Sequence, residues 1–304
     1  MHQVFGLTDR PYCLSPIAIA RDFTRKFIAN PNVAPLEQKI LNCVAELKRS
    51  HPMLIVEGTG HAGVGSCFGL SNARVAELLG APVIIVTGGG IGRPLDEIAL
   101  NLALFRQQNA TVIGVILNKV LPEKHEMIRQ TVARGMELLG TRLLGAIPYE
   151  RALTFFNMGQ LAEECRYKVL YGESALSNRI ENTVVAAMEP QNVMPYIRSN
   201  TLVIAPGDRL DNILIATTVM AKDYSSSGGL VLTGGMEPHP AIAPLLRSSN
   251  VPVLLSTDDT FTVSSKIAAL GFKIRSFDAD KVGRLHALVE QFVDIPALLA
   301  ALAD

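Results

Sequence analysis

Glu57 is the residue of this chain whose position best suits catalysis or metal binding. It ends the apolar run 53–57 (MLIVE) and is followed at once by the glycine-rich stretch 58–65. Open α/β sheets bind ligands beyond the carboxyl ends of their strands, where a carboxylate can ligate Mg²⁺ or orient a water molecule. The alternative is that Glu57 only accepts hydrogen bonds from the amides of its own loop. We therefore take Glu57 as the candidate catalytic and Mg²⁺-binding residue.

Two known motifs compete for the glycines that follow. Gly58, Gly60 and Gly63 have the spacing of a dinucleotide-binding loop, but the next helix is predicted to begin only near Ser71 and no acidic residue ends the next strand. The same glycines have the spacing of a phosphate loop, yet Val64 stands where that motif requires a lysine. Neither motif is therefore sufficient by itself to predict a nucleotide site.

A second glycine-rich loop, TGGGIGRP, joins the apolar run 83–86 to a predicted helix. The exposed amides of Gly88 and Gly90, the helix dipole and the Arg93 guanidinium can together cradle an anion. A flexible crossover turn is the alternative. Asn118 ends the following strand, where its carboxamide can contact the edge of a purine ring or simply form a turn.

In the second half of the chain, two polar loops follow predicted strands. One contains Asp208, Arg209 and Asp211, and the other is Thr233-Gly234-Gly235. Because the carboxyl ends of parallel strands share one edge of a sheet, both loops are expected at the same edge. Their charges can hold a polar ligand, or they can pair with one another and cap the helix that follows.

The elements that must position these loops follow a β-strand, α-helix alternation. The strands are predicted at 53–57, 83–86, 111–117, 143–147, 201–206, 230–233, 251–257 and 272–275, and the helices at 72–79, 95–107, 123–139, 210–222, 241–248 and 264–270. This pattern predicts an α/β protein with two open, mostly parallel sheets and helices on both faces. The predicted domains are 1–165 and 196–304, joined by a helical connection at 166–195 because a helical pattern runs around 180–188.

Composition excludes several classes of protein. The 28 basic and 28 acidic residues cancel, which disfavours a nucleic-acid partner, and no apolar run is long enough to span a membrane. The N-terminal residues show no secretory signal pattern, and Cys13, Cys43, Cys67 and Cys165 form no C-x-x-C motif. Reduced thiols and a cytoplasmic location are therefore expected.

Three segments, taken in order, resemble the P-loop domain of dethiobiotin synthetase and cobyrinic acid a,c-diamide synthase. They are VEG at 56–58, GVILNK at 114–119 and LGAIP at 144–148. The chain is more similar still to the synthetase-like N-terminal region of long phosphotransacetylases, in which a DRTGG domain follows. The letters of that name occur here as Asp208-Arg209 and Thr233-Gly234-Gly235.

The resemblance implies a role for three residues. It places Glu57 near Mg²⁺ and the γ-phosphate, Asn118 on the base, and Pro148 in the lining of the same pocket. No stretch of the chain matches G-x-x-x-x-G-K-[ST]. The resemblance therefore predicts that the phosphate loop lies upstream of Met1 or is missing from a genuine form of the domain.

We accordingly predict a nucleotide-responsive regulatory or binding protein that holds ATP and Mg²⁺ weakly, takes a small-molecule or nucleotide ligand and forms a homo-oligomer. The alternative is an ATP-dependent ligase or amidating synthase of the dethiobiotin or cobyrinate type, with its phosphate loop upstream of Met1. A third interpretation is a scaffold that only oligomerises. Whether the chain is an enzyme stays open at this stage.

Overall fold

Alternating apolar runs and amphipathic helices fold into two separate α/β units in the computed structural model, which describes residues 9–222, 228–271 and 278–303. The first unit contains Met1–Tyr149 and Arg275–Asp304, and the second contains Glu150–Ile274. The strand expected at 272–275 lies outside the described residues. No helix in the described ranges is both long and apolar enough to cross a membrane.

The first unit is built around a parallel sheet. Its elements up to residue 149 are α1 (Pro11–Leu14), α2 (Phe23–Ala29), α3 (Ala34–Leu47), α4 (Asn72–Leu79), β1 (Val83–Gly88), α5 (Gly92–Gln107), β2 (Val112–Val120), α6 (His125–Leu138) and β3 (Leu143–Pro148). The described strands lie in the order β1-β2-β3, and both pairings are parallel. Val115 and Leu117 of β2 are fully buried against apolar side chains of α5 and α6.

Local signals set the ends of the helices that flank this sheet. The Ser71 hydroxyl accepts a hydrogen bond from the Arg74 amide (3.0 Å) and so caps the start of α4. Gly80, at a φ of 58°, ends the same helix in the left-handed conformation that favours glycine. Pro94 lies in the first turn of α5, where no backbone N–H is needed. The helix predicted at 72–79 is therefore confirmed residue for residue.

The strand expected at 53–57 is not formed. This segment has no regular secondary structure, and the side chains of Met53, Ile55 and Val56 are 63%, 88% and 56% exposed. A strand requires a neighbour that completes its ladder of hydrogen bonds, and no described strand pairs with these residues. The apolar run has the composition of a buried strand, but the sequence does not show which neighbouring strand would pair with it.

The second unit contains a larger sheet. Its elements are β4 (Phe156–Asn157), α7 (Met158–Cys165), β5 (Lys168–Tyr171), β6 (Arg179–Ile180), β7 (Asn182–Val185), α8 (Pro190–Val193), β8 (Thr201–Pro206), α9 (Leu210–Lys222), β9 (Gly228–Thr233), α10 (Ala243–Ser248), β10 (Val253–Leu255) and α11 (Thr260–Ala269). The described strands of the main sheet lie in the order β5-β10-β9-β8-β7, and all pairs are parallel except β5 with β10. The predicted fold class, with two mostly parallel sheets, is confirmed.

Alternate residues of this sheet face two different helical layers. Val203 and Ala205 of β8 pack with the buried side chains of α9 and α10. Leu202 and Ile204 pack on the other side with those of α7 and α11. The helix after β9, α10, therefore packs on one face of the sheet, and the helix after β10, α11, packs on the other. A crevice at the carboxyl ends of two such neighbouring strands is where open sheets bind ligands.

The helical connection expected at 166–195 is a set of strands instead. Residues 168–185 contribute β5, β6 and β7, with only short helical turns between and after them. Val184 pairs with Val203, and Val185 pairs with Ile204. Two adjacent β-branched residues beside a buried strand favour pairing, and this tertiary contact overrides the helical pattern. The expectation of a helix around 180–188 was therefore wrong.

The last described residues form α12 (Ala279–Phe292) and α13 (Ile295–Ala303), which belong to the first unit. The Asp294 amide donates a hydrogen bond to the Leu144 carbonyl (2.8 Å), which places this segment along β3. A Cβ on Gly145 would lie 2.6 Å from the Phe292 carbonyl oxygen, so the approach requires glycine. The observed division therefore differs from the predicted boundary, which assigned 196–304 to one domain.

Candidate functional site

The carboxyl edge of the first sheet brings several predicted site residues together. In the parallel register, Gly88 pairs with Asn118, and Val120 pairs with Pro148. These residues come from three different strands and end at one edge. The loop that follows Gly88 leads into α5, which begins at Gly92. The structure thus places Gly88, Asn118 and Pro148 at one edge, in line with the shared pocket that the resemblance implies for Asn118 and Pro148.

The glycines after β1 lie close to the backbone of β2. A Cβ on Gly89 would lie 2.6 Å from the Val120 Cα and 2.7 Å from the Lys119 carbonyl oxygen. Gly90 has a φ of 135°, a conformation that side chains disfavour. A Cβ on Gly88 would meet no atom within 4 Å. Gly89 therefore serves the packing of the loop, whereas Gly88 leaves space above the edge.

Asn118 has one half of its carboxamide fixed and the other half available. Its Oδ1 accepts a hydrogen bond from the Lys119 amide (2.9 Å), and Lys119 adopts a left-handed conformation at a φ of 60°. Within the described residues, no acceptor is found for Asn118 Nδ2. A fixed oxygen with a free NH₂ group can donate to a ring nitrogen or carbonyl of a purine.

Arg93 does not stand free at this edge. Its Nε donates to Glu97 Oε1 (2.7 Å), and this hydrogen bond lowers the pKa of Glu97 below its ordinary value. The Arg93 side chain is 89% exposed. Pairs this exposed contribute little to stability, so a phosphate group can compete with Glu97 for the guanidinium.

Glu57 and the glycines after it form a separately organised loop. Glu57 is exposed, and no described residue forms an ion pair or hydrogen bond that joins it to Gly88 or Asn118. A Cβ on Gly58 would contact Asn72, at 3.1 Å from Cγ, and Gly60 has a φ of 68°. Among the described residues, no hydrogen bond or ion pair links these three predicted residues to Gly88 or Asn118.

Two asparagines that sequence reasoning missed hold this loop in shape. Asn72 Nδ2 donates to the carbonyl oxygens of Thr59 and His61, both at 2.9 Å. Asn101 Oδ1 accepts from the Ala62 amide (2.6 Å), and so it ties the loop to α5. Asn72 directly follows the helix cap Ser71, and Asn101 lies within α5. Neither position indicates a role in the loop, because each side chain contacts residues that are distant in the sequence.

Within residues 9–222, 228–271 and 278–303, no group of three or more His, Cys, Asp or Glu side chains is arranged to hold a metal ion. Glu57 therefore offers a single carboxylate. Mg²⁺ bound to nucleotides commonly takes one or two protein carboxylates together with phosphates and water. The donor set thus suits a nucleotide-borne Mg²⁺ better than a resident metal ion.

The carboxyl edge of the second sheet also brings the predicted loops together. Pro206 pairs with Thr233, and the Gly207 amide donates to the Thr233 carbonyl (3.2 Å). A Cβ on Gly207 would lie 1.8 Å from the Met236 carbonyl oxygen. The loop with Asp208 therefore touches the loop that starts at Thr233, and only glycine permits this approach.

Gly234 and Gly235 have a structural task at this edge. Their φ values are 78° and 66°, and their amides donate to the carbonyls of Asp258 and Ser256, both at 2.8 Å. The Thr233 and Thr260 hydroxyls are also hydrogen-bonded, at 2.7 Å. A third loop, 256–260, thus completes the edge. Asp259 of this loop accepts a hydrogen bond from the Thr262 amide and so caps the start of α11.

Arg209 and Asp211 form a two-point ion pair within the first of these loops. Arg209 Nε and Nη2 donate to the two Asp211 carboxylate oxygens at 3.0 and 2.9 Å. These hydrogen bonds lower the pKa of Asp211. Asp208 is exposed beside them. Arg209 and Asp211 therefore pair with each other, which is one of the two alternatives predicted from the sequence. Asp208 adds an exposed carboxylate beside this pair.

We expect Arg209→Ala to lower Tm by no more than about 2 °C at neutral pH, because exposed ion pairs are weak. The pKa of Asp211 is depressed in the folded chain, so its stabilising contribution is present above the unfolded pKa and is lost as the pH falls through the folded pKa. The difference in Tm between Arg209→Ala and the wild type should therefore vanish at acidic pH. Circular dichroism melts at both pH values test this, with the exposed Arg247→Ala as control. A large loss that persists in acid would contradict the ion-pair account.

Family comparisons agree with this division of the chain. The family model described as AAA domain matches residues 1–156, and the model described as DRTGG domain matches residues 160–270. Three phosphate acetyltransferases are similar to the chain. That of Nitratidesulfovibrio vulgaris is 28% identical over 280 residues, that of Synechocystis sp. is 29% identical over 256, and that of Pseudomonas putida is 25% identical over 291.

These matches cover 89%, 81% and 92% of this chain, but only 40%, 36% and 42% of the three relatives. The chain thus spans less than half the length of the curated relatives it matches. A crystal structure of the CBS and DRTGG domains of the regulatory region of Clostridium perfringens pyrophosphatase, complexed with its activator diadenosine tetraphosphate, is 20% identical with a TM-score of 0.32. It covers 60% of this chain and 72% of that chain.

Proposed function

Because the chain belongs to the AAA domain family and continues into a DRTGG domain, as in the N-terminal region of long phosphotransacetylases, we propose that it is a nucleotide-responsive regulatory or binding protein. The acetyl-transfer activity named for the relatives is not part of this proposal, because the chain spans less than half of their length. What the proposal requires is a nucleotide site in the first unit and a ligand-responsive surface in the second.

The observation that carries the proposal is the register of the first sheet. It places Gly88 beside Asn118, and Pro148 on the adjoining strand, at the edge where open sheets bind ligands. Asn118 Nδ2 has no acceptor among the described residues and can donate to a purine ring. A Cβ on Gly88 would meet no atom within 4 Å, so no side chain crowds the backbone at this position of β1.

The phosphate side of this site is weaker. Arg93 and Lys119 supply positive charge, but Val64 stands where a phosphate loop has its lysine. We therefore expect ATP to bind no tighter than about 1 mM, equivalent to roughly 4 kcal/mol. Mg²⁺ would enter with the nucleotide, with Glu57 as its candidate protein ligand. The ligase alternative needs a phosphate-loop lysine, which Val64 does not supply, and gains no support from this geometry.

Equilibrium titration of the chain with ATP tests the proposal. Asn118→Ala should weaken ATP binding about fivefold to tenfold, because one hydrogen bond to the base is lost. The matched control Asn192→Ala changes an exposed asparagine of the second unit and should leave ATP affinity unchanged. Micromolar affinity in the wild type, or an equal loss in both variants, would contradict this assignment.

The second unit supplies the responsive surface in this proposal. The loop after β8 carries Asp208 and Arg209, which offer both signs of charge to a polar metabolite or nucleotide. The glycine amides at 234 and 235 are already engaged, so side chains rather than these amides would contact the ligand. A small-molecule ligand at this edge is a proposal that rests on the charge and the topology.

The homo-oligomer expected from the sequence stays a prediction. The exposed side chains of Met53, Ile55 and Val56, together with Val86 of β1 at 60% exposure, form apolar surface in the first unit. Exposed apolar surface beside a sheet edge favours association. Light scattering measures this directly, and a monomer at high concentration would contradict it.

A further inference from the structure

Two cysteines that are far apart in the sequence meet in the first unit. Cys13 lies in α1 and Cys43 in α3, and the two side chains are 3% and 4% exposed. The Cys43 thiol lies 3.8 Å from the Tyr12 carbonyl oxygen, directly beside Cys13. The Cys13 and Cys43 thiols are within hydrogen-bonding reach of each other. Both are free thiols.

Two polar contacts join the residues just before α1 to the last part of α3 and the turn that follows it. The Asp9 carboxylate is 2.9 Å from His51 Nε2, and Arg10 Nε is 4.0 Å from Glu46. These contacts hold the start of α1 near the end of α3, where Cys43 lies three residues before Glu46. Burial, and after it the neighbouring Cys43, raise the pKa of Cys13 to about 11. The Cys13 thiol is therefore protonated at neutral pH.

We propose that Cys13 and Cys43 form an oxidisable dithiol, a modification site that closes a disulfide between α1 and α3. A low-molecular-weight disulfide is the oxidant. One cysteine sulfur attacks it, a mixed disulfide forms, and one small thiol leaves. The second cysteine then attacks the sulfur of the first, the Cys13–Cys43 bond forms, and the second small thiol leaves. The protons of the two cysteines pass to the two released thiols.

The fold controls the rate of this reaction. α1 has four residues, and its Tyr12 and Leu14 are 49% and 40% exposed, so little packing opposes its opening. Local opening of such a short element requires far less free energy than global unfolding. The oxidant reaches the thiols during these openings. Oxidation is therefore slower than at the exposed Cys67 but proceeds without unfolding of the unit.

The closed disulfide cross-links the segment before Ser15 to α3. A cross-link across a long loop stabilises the folded state by restricting the unfolded chain. The expected shift in Tm of the first unit is roughly 5 to 10 °C upward on oxidation. A pair of cysteines that only fills space would show no such change, since it would stay reduced.

The test treats the full chain with oxidised glutathione under native conditions and then blocks remaining thiols. The Cys67→Ser variant serves as the working background, because it removes the most accessible competing thiol. We expect peptide mass spectrometry to find Cys13 joined to Cys43, with the upward Tm shift, and both changes to reverse on reduction. In Cys13→Ser, Cys43 should stop at the mixed disulfide and Tm should not rise.

Two results would overturn the proposal. One is that Cys13 and Cys43 stay unmodified in the folded chain while glutathione modifies Cys67 in the wild type. The other is that each acquires glutathione separately and no cross-link forms. If Cys13→Ser does not fold, the cross-link and its reversal in the Cys67→Ser chain still decide the question.

Discussion

Gly207→Ala is expected to destabilise the second unit by about 3 kcal/mol or more, so that it unfolds at much lower denaturant concentration than in the wild type. The reason is steric. The added Cβ would lie 1.8 Å from the Met236 carbonyl oxygen, whereas real Cβ contacts essentially never fall below 3.0 Å. Met236 cannot simply move, because the amides of Gly234 and Gly235 just before it are hydrogen-bonded to the third loop.

Urea unfolding followed by circular dichroism measures this loss, with the transition of each unit analysed separately because a chain of two units need not unfold in one step. Gly271→Ala is the matched control in the same unit, since a Cβ at Gly271 meets no atom within 4 Å. A Gly207→Ala transition as close to wild type as that of the control would show that the two loops do not approach as described.

The second large effect is expected for Leu117→Ala, which should destabilise the first unit by about 3 kcal/mol. Leu117 is fully buried between β2 and the helices α5 and α6, and it directly precedes Asn118. Truncation removes apolar contacts and leaves a cavity under the edge of the sheet. The truncation therefore disrupts the core and also removes the packing that supports the backbone at Asn118.

Leu138→Ala provides the control for this experiment, because the Leu138 side chain on α6 is 89% exposed. Its truncation should change stability by no more than about 0.5 kcal/mol. Both variants are compared by urea unfolding of the first unit. Equal losses in the two variants would contradict the assignment of Leu117 to the core beneath the candidate site.

Elements with complete local signals could be predicted from the sequence. Residues 72–79 and 210–222 have helical periodicity, and the first of them also has a serine cap and a terminal glycine, and both form helices at the predicted bounds. The segments 53–57 and 166–195 could not be predicted correctly. Their structure depends on which strand lies beside them, and no local pattern contains that information.

The candidate site divides in the same way. The meeting of Gly88 with Asn118 follows from parallel topology, since both residues end neighbouring strands. The roles of Asn72 and Asn101 could not be inferred, because each side chain bonds to backbone distant in the sequence. At the second edge, the amides of Gly234 and Gly235 donate to carbonyls of the loop at 256–260, a contact that no local pattern in the sequence indicates.

Amide chemical-shift mapping by NMR during an ATP titration tests the central claim most directly, because it locates the bound nucleotide. The account predicts saturable shifts with a Kd of about 1 mM or weaker, concentrated at Gly88, Arg93 and Asn118. In Asn118→Ala these shifts should require about fivefold to tenfold more ATP, and in Asn192→Ala they should be unchanged. Saturable shifts confined to other parts of the chain, or none at this edge at concentrations well above that Kd, would contradict the assignment of a nucleotide site to the first sheet.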